Sequence, residues 1–275
     1  MDKQLSKSAL ARSLGISRSS FYYTPKQVIK DSLLRDRIVD TTIEHPAYGY
    51  RRIAMALSIG KNRAHRVMMK FGIQPRIRHK KPKYGRNKSV SGVPNRTKGI
   101  SPIAPNVIWA GDFTELSFHG RRVYLATVID RFTREVIGWQ IGLHHTTQLV
   151  LDVLEESLRK RNTHSYIFHS DQGSEYTAHA CIDWLVTHKI LPSHSPKAKP
   201  WNNGHQESFY DKFKLEFGKP SRHKTIENLI EAIGRYIHYY NTRRIHTALK
   251  MPPRTFFQKE MRRLETDSKS EPVAV

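Results

Sequence analysis

The 275-residue sequence contains one cysteine, Cys181, so no internal disulfide framework holds it together and the fold must rest on buried apolar surface. No apolar run approaches the length needed to span a bilayer, and the N-terminus lacks the apolar stretch of a signal peptide. A soluble, intracellular protein is expected. Acids are scarce: 24 Asp and Glu face 47 Lys and Arg, giving a net charge of +23. Between His45 and Gly111 there is no acid at all, while 15 Lys and Arg occur. Such an excess implies a polyanionic partner held through phosphates and counterion release. A ribosomal or structural basic protein would share the charge, but not the large apolar strands that begin at Val107.

The N-terminal part reads as helical. Leu5 to Tyr23 has the pattern of a helix-turn-helix, with Ala11 and Gly15 at the spacing of a close helix contact and a sharp turn. Ser17 would cap the second helix and Pro25 would stop it, leaving Arg18, Ser19 and Ser20 to face the major groove. Asp31 to Glu44 forms an amphipathic helix with Leu33, Leu34, Ile38 and Ile43 as its apolar face. Two further helices, Arg51 to Leu57 and Asn62 to Phe71, would turn Arg51, Arg52, Lys61, Arg63 and Arg66 outward to a duplex backbone, or make an ordinary solvated hairpin. Gln74 to Pro105 holds Gly, Pro, Ser and nine Lys or Arg with little periodicity, as a basic linker does.

From Val107 the periodicity changes. Val107 to Phe118, Val123 to Ile129 and Val136 to Ile141 read as strands, the first two joined by a turn at His119-Gly120. A helix from Thr147 to Lys160, a short strand at Tyr166 to His169 and a helix from Ala178 to Ile190 follow. An antiparallel meander feeding a parallel pair predicts an α/β fold and is compatible with a ribonuclease H-like domain.

Three carboxylates stand out against the cationic background. Asp112 interrupts an apolar strand, where an unpaired carboxylate is costly. Asp171 directly follows a strand, the usual ligand position in open α/β sheets. Glu207 opens a helix and lies off the stripe formed by Phe209, Phe213 and Phe217, and Lys214 returns to the face of Glu207 two turns later. Carboxylates so placed can converge on divalent metals that drive phosphodiester chemistry, and Lys214 could hold a DNA phosphate beside them. Asp130 and Glu135 are read as structural ion-pair partners, and Glu175 as a neighbour of Asp171 rather than a replacement for Glu207. His144 and His145 are read as surface residues, and His169 either orders the site or packs. Lys197, Lys199 and Trp201 precede the Glu207 helix, where they could grip DNA or lie in a solvated loop. Arg243 and Arg244 could contact phosphates or brace the core.

The blocks Trp109…Asp112-Phe113-Thr114, His169-Ser170-Asp171-Gln172-Gly173-Ser174-Glu175-Tyr176 and Asn202-Asn203-Gly204-His205-Gln206-Glu207-Ser208-Phe209 resemble the catalytic blocks of DDE transposases and retroviral-type integrases. The closest resemblance is to insertion-sequence transposases of the IS-three type, in their second reading-frame product. Val128 to Trp139, Tyr240 to Leu249 and His45 to Ile53 also resemble that family. Asn202 stands where the family usually has Asp, and Gly204 where Ala is common; neither is an expected metal ligand.

The resemblance implies a ribonuclease H-like catalytic core, a mixed five-stranded sheet flanked by helices, preceded by all-α helix-turn-helix units. The expected layout is a helix-turn-helix at 1–25, a second helical DNA-binding domain at 26–73 and a basic linker at 74–105. The core with C-terminal helices would span 106–260, and a disordered tail 261–275. The implied activity is DNA 3′-end cleavage and strand transfer, with two Mg2+ ions (Mn2+ able to substitute) held by Asp112, Asp171 and Glu207. Implied partners are the element's terminal repeats, target DNA and further copies of the chain, with an upstream-frame subunit or fusion left open, in the bacterial cytoplasm at the nucleoid. A domesticated DNA-binding regulator would be marked by a lost carboxylate; a ribonuclease H-fold nuclease would cleave without joining.

Overall fold

A computed structural model describes residues 7–21, 23, 26–76, 92–195 and 204–270. The chain divides into two compact units, Met1–Pro75 and Arg76–Val275.

The first unit is helical. Helices α1 (Lys7–Ser13) and α2 (Arg18–Phe21) are joined through Gly15, whose φ of +66° suits a residue without a Cβ. Ser17 Oγ accepts the Ser20 amide at 3.0 Å and so caps α2, as expected. Helices α3 (Lys26–Glu44), α4 (Tyr50–Ala56) and α5 (Lys61–Lys70) follow, with Leu34, Ile38, Tyr48, Ile53, Ala64, Val67 and Met68 buried. The expected apolar face of α3 needs correction: Leu33 is 64% and Ile43 74% exposed. The inward line of the helix runs instead through Asp31, Leu34 and Ile38, at the three-to-four spacing of a helical stripe.

Asp31 is wholly buried, and its carboxylate accepts from Arg66 at 2.7 and 2.6 Å, Lys70 at 2.9 Å and Gln27 at 2.8 Å. Arg66, expected to face DNA, makes a bidentate pair with Asp31 while its side chain stays 46% exposed. Arg52 is similarly engaged, donating to the Ala47 carbonyl at 2.7 Å with its guanidinium over the Tyr48 ring. Hydrogen bonds from Arg66 and Lys70 hold the Asp31 carboxyl well below its ordinary range. A depressed folded-state pKa contributes stability that is complete above the unfolded value of about 4 and is lost as pH falls through the lower folded value. Chemical unfolding followed by helical circular dichroism should therefore show the first unit weakening as pH drops below about 4. Asp31→Asn should be less stable at neutral pH and show a smaller acid dependence.

The second unit is built on a five-stranded sheet of order β3-β2-β1-β4-β5. Strands β1 (Ile108–Phe118), β2 (Arg121–Asp130) and β3 (Val136–Gly142) form the antiparallel meander. His119 and Gly120, at φ +44° and +78°, make the tight turn between the first two. Strands β4 (Ile167–Ser170) and β5 (Leu191–His194) run parallel to β1. Helices α6 (Thr147–Arg161) and α8 (His179–Thr187) cover one face, where Trp109, Ala126, Val128 and Phe168 meet Val153, Leu154, Cys181 and Leu185. Helices α9 (Gly204–Phe217) and α10 (Ile226–Thr242) cover the other, with Phe209, Phe213 and Phe217 against Leu116, Leu125 and Ile129. Short helix α7 (Ser174–Thr177) lies between β4 and α8, and α11 (Pro253–Ser270) ends the described chain. This is the ribonuclease H-like architecture, a mixed five-stranded sheet flanked by helices.

Two segments differ from the sequence reading. Residues 92–105 belong to the core rather than to a linker: the Arg96 amide donates to Ser193 Oγ at 2.9 Å, and Thr97 is buried. Arg96 also donates through its side chain to the Pro192 carbonyl at 3.3 Å; residues 77–91 lie outside those described. Residues 261–270, read as tail, continue α11, since no Gly or Pro falls between Arg254 and Ser270 and Arg263 pairs with Glu260 at 3.0 Å and Asp267 at 3.2 Å.

Asp130 and Glu135 have the structural role read for them. Both oxygens of Asp130 accept backbone amides, from Phe132, Thr133 and Asn106, while Glu135 pairs with Arg161 at 2.8 Å and Arg254 at 2.7 Å. No described helix is long and apolar enough to cross a membrane.

Candidate active site

Alternation along β1 sends Ala110, Asp112, Thr114 and Leu116 to the α9 face, and Trp109, Gly111 and Phe113 to the α6 face. Asp112 stands opposite Thr127 of β2, half-buried, with Oδ1 accepting the Phe113 amide at 2.8 Å. Ala110 pairs with His169 across the parallel β1–β4 ladder. Asp112 on β1 and Asp171, one residue past the end of β4, each come two residues later, so the chain direction delivers both to one end of the ladder. Asp171 is exposed, and its Oδ1 accepts the Gly173 amide at 3.0 Å.

Glu207 is carried to this strand by its neighbours on α9. Gln206, wholly buried, donates to the carbonyls of Ala110 at 2.6 Å and Thr127 at 3.1 Å, and accepts from Thr127 Oγ1 at 2.9 Å. One turn on, the Tyr210 hydroxyl donates to the Asp112 carbonyl at 2.6 Å. Both bonds run to the backbone of the strand that bears Asp112, so the helix keeps its register on that strand. Glu207 itself is exposed. Among the described residues, no three His, Cys, Asp or Glu side chains are grouped closely enough to hold one ion.

Sequence reasoning missed Gln206, Tyr210 and Tyr176. The first had a signal: it extends the buried Phe209-Phe213-Phe217 stripe by one helical step, where a polar residue demands partners. Tyr176 is buried beneath the carboxylates; burial, then Asp112, Tyr210, Asp171 and Glu175, push its hydroxyl well above the ordinary range. It stays a neutral hydroxyl among the acids. Glu175 accepts from Ser174 Oγ at 3.0 Å and pairs with exposed His145 at 3.5 Å. His169 is buried and pushed down to about 4 by burial, then by Arg131 and His194. His205, two residues before Glu207, is pushed to about 3 by burial, Arg134, Arg131 and His246.

Gly111 is required by packing. A Cβ there would lie 2.4 Å from Phe168 Cζ, inside the buried core beneath Asp112. Gly111→Ala is expected to destabilise by about 1–3 kcal/mol through overpacking. Urea unfolding measures that cost, and a neutral result would show that Phe168 yields freely.

The expected DNA contacts differ in their surroundings. Arg18, Ser19, Ser20, Arg51, Lys61 and Arg63 are exposed on the first unit, and Arg51 and Lys61 line a cavity of about 600 Å³ with Tyr50 and Asn62. Arg244 is not available for phosphates: it is buried and grips Glu216 through Nε and Nη2 at 2.9 Å, bracing α10 on α9. Arg243 is exposed beside it, and Lys214 is half-buried on α9. Lys197, Lys199 and Trp201 lie outside the described residues.

Comparison with known proteins accords with this core. Residues 102–200 and 188–253 match two family models, each described as an integrase core domain. The chain is 32% identical over 252 residues to "Putative transposase InsK for insertion sequence element IS150" of Escherichia coli (strain K12), covering 88% of this chain and 89% of that one. It is 30% identical over 244 residues to the transposase for insertion sequence element IS904 of Lactococcus lactis subsp. lactis (strain IL1403), covering 85% and 96%. Among solved structures, the HTLV-2 integrase catalytic core domain in complex with magnesium aligns at a TM-score of 0.44 and 16% identity, covering 57% of this chain and 99% of that one. The matched core models and the two insertion-sequence relatives, each covered over most of its length, lead to one assignment: the chain belongs to the DDE transposases of insertion sequences, built on an integrase core.

Proposed function

We propose that this transposase cuts the 3′ ends of its element and joins them to target DNA at a site formed by Asp112, Asp171 and Glu207. The observation that carries the reading is the placement of two aspartates at one end of neighbouring parallel strands, with the Glu207 helix pinned to the same strand by Gln206 and Tyr210. Carboxylate oxygens are the donors that hard cations such as Mg2+ and Mn2+ take, and a pair of ions is the usual number for this chemistry. When bound, such ions activate the attacking water or 3′-hydroxyl and stabilise the leaving 3′-oxygen. The protein's own part is to hold the carboxylates in register. Tyr210 and Gln206 fix the helix, and Tyr176 supplies a neutral hydroxyl beneath the acids.

Double-stranded DNA is the proposed substrate. Arg18, Ser19 and Ser20 on α2 would read the terminal repeats, with Arg51, Lys61 and Arg63 on the backbone. Lys214 and Arg243, with Lys197, Lys199 and Trp201, would hold the end near the carboxylates. Joining two ends together requires more than one copy of the chain, and the work is placed in the cytoplasm at the nucleoid. The test incubates the purified chain with labelled duplex bearing an element end, with and without Mg2+. Metal-dependent nicking and joining is the expected result; a wild-type chain that does neither would sink the proposal.

A further inference from the structure

We infer that the tip of the β1–β2 hairpin and the turn that follows α9 form one surface for the phosphate backbone of duplex DNA, with Arg121, Lys219, Arg222 and Lys224 as its cations. The inference rests on the DNA-processing reading above and extends it to a part of the core that the sequence did not single out.

Hydrogen bonds lock the two segments together. The His119 amide donates to Ser221 Oγ at 3.1 Å, and Ser221 Oγ donates to the Ser117 carbonyl at 3.2 Å. His119 Nε2 donates to the His223 carbonyl at 2.8 Å. Gly218, at φ +83°, ends α9 and turns the chain into the short 3-10 helix Pro220–Arg222. Arg121 stands opposite Phe118, which packs on the α9 side of the sheet, and directly paired residues share a face. Arg121 therefore lies on the face that carries Asp112, next to the end of α9. Arg122 alternates to the other face and pairs there with Glu115 at 3.5 Å.

The protein does not neutralise this group. All four cations are exposed, and none makes an ion pair among the described residues. Arg222 Nε donates to His223 Nε2 at 3.2 Å, and its guanidinium lies 5.2 Å from the Phe217 ring centroid. A ring nitrogen that accepts is unprotonated, so both partners hold Arg222 in place without answering its charge. Residues 116–129 and 217–226 contain no acid. A cation just past α9 would complement the helix's C-terminal carbonyls. That part does not extend to Arg121, on another element, or to Lys224, seven positions past Phe217.

The surface lies in line with the carboxylates. Gln206 binds the Ala110 carbonyl and Tyr210 the Asp112 carbonyl, so α9 runs along β1 toward the hairpin. Six residues of β1 separate Asp112 from Phe118, about 20 Å of strand. Ten residues of α9 separate Glu207 from Phe217, about 15 Å of helix. A duplex rises about 3.4 Å per base pair, so either path matches about five or six base pairs. DNA held at the carboxylates and lying along this face meets the four cations at that distance from the reacting phosphate.

Duplex binding by the full chain, read by fluorescence anisotropy in EDTA across a salt series, tests the surface, with thermal unfolding measured in parallel. Arg121→Gln combined with Arg222→Gln is expected to weaken binding about ten-fold. It should lower the slope of log affinity against log salt by about two, at an unchanged melting temperature. Arg121→Lys with Arg222→Lys should restore most of the slope because it keeps both charges. Lys259→Gln with Arg262→Gln, exposed on α11, removes the same charge elsewhere and should cost far less. The loss is expected to be the same on a duplex bearing an element end and on an unrelated one, since phosphate contacts carry no sequence. Unchanged affinity and slope in the glutamine pair overturns the inference. An equal loss in the α11 pair also overturns it, as an effect of net charge alone. A loss confined to the end-bearing duplex would mean base reading, and a loss that tracks the melting temperature without rescue by lysine would mean misfolding; both overturn it. No metal is present and no cleavage is read, so these outcomes are separate from the Mg2+ test above.

Discussion

Asp171→Asn is expected to lower Mg2+-dependent cleavage and joining by at least about 10³-fold while leaving the fold and duplex affinity near wild type. The exchange is isosteric and removes one charge. Asp171 is exposed, and the bond its carboxylate accepts from the Gly173 amide at 3.0 Å goes to an oxygen that Asn can also offer. Stability therefore has little reason to change, whereas a hard cation loses an anionic ligand. Asp112→Asn should behave alike in activity. Single-turnover assays on labelled end DNA separate the two effects when run beside unfolding curves. Equal activity in Asp171→Asn and wild type would remove the aspartate from the chemistry, and a variant that merely unfolds would show it in the melting temperature.

Arg161→Ala is the largest stability change expected, about 3–5 kcal/mol. The guanidinium is 1% exposed, lies 2.8 Å from Glu135 and 3.9 Å from Asp130, and stacks 3.7 Å from the Phe257 ring centroid. Removing it strands two buried carboxylates with Arg254 as the remaining partner of Glu135 and backbone amides for Asp130. For a unit of this size the cost corresponds to a fall of roughly 10 °C in melting temperature. Arg161→Met combined with Glu135→Met should recover much of the loss, because a buried ion pair replaced whole by apolar groups is often neutral. Urea unfolding with an unchanged m value would show that native stability, and not the unfolded state, is affected. If the single variant loses less than about 1 kcal/mol, the network is solvated enough to tolerate an unpaired acid.

Local patterns carried the strands, the helices and the three carboxylates because each is a statement about neighbouring residues. A continuous apolar run made β2 legible, and the Phe209-Phe213-Phe217 stripe made α9 legible. The same logic failed where a partner comes from far along the chain. Arg244 looks like one more outward cation until Glu216, 28 positions away, takes it up, and the bond of Arg66 to buried Asp31, 35 away, is equally invisible in the local pattern. The charge-rich stretch 261–270 likewise looked like tail, since ion pairs within a helix leave no apolar signature.

The sequence by itself determined that this is a cationic, DNA-directed member of its family, with an α/β core and three acids in recognisable settings. Those properties live in composition and in short motifs, which need no folded chain to be read. Only the tertiary structure decided how the acids are held: the parallel register that brings Asp112 on β1 and Asp171 just past β4 to one end of the ladder, and the Gln206 and Tyr210 bonds that hold α9 to the backbone of β1. Hydrogen bonds between distant residues depend on burial and direction, and neither exists until the sheet and its covering helices have closed on each other.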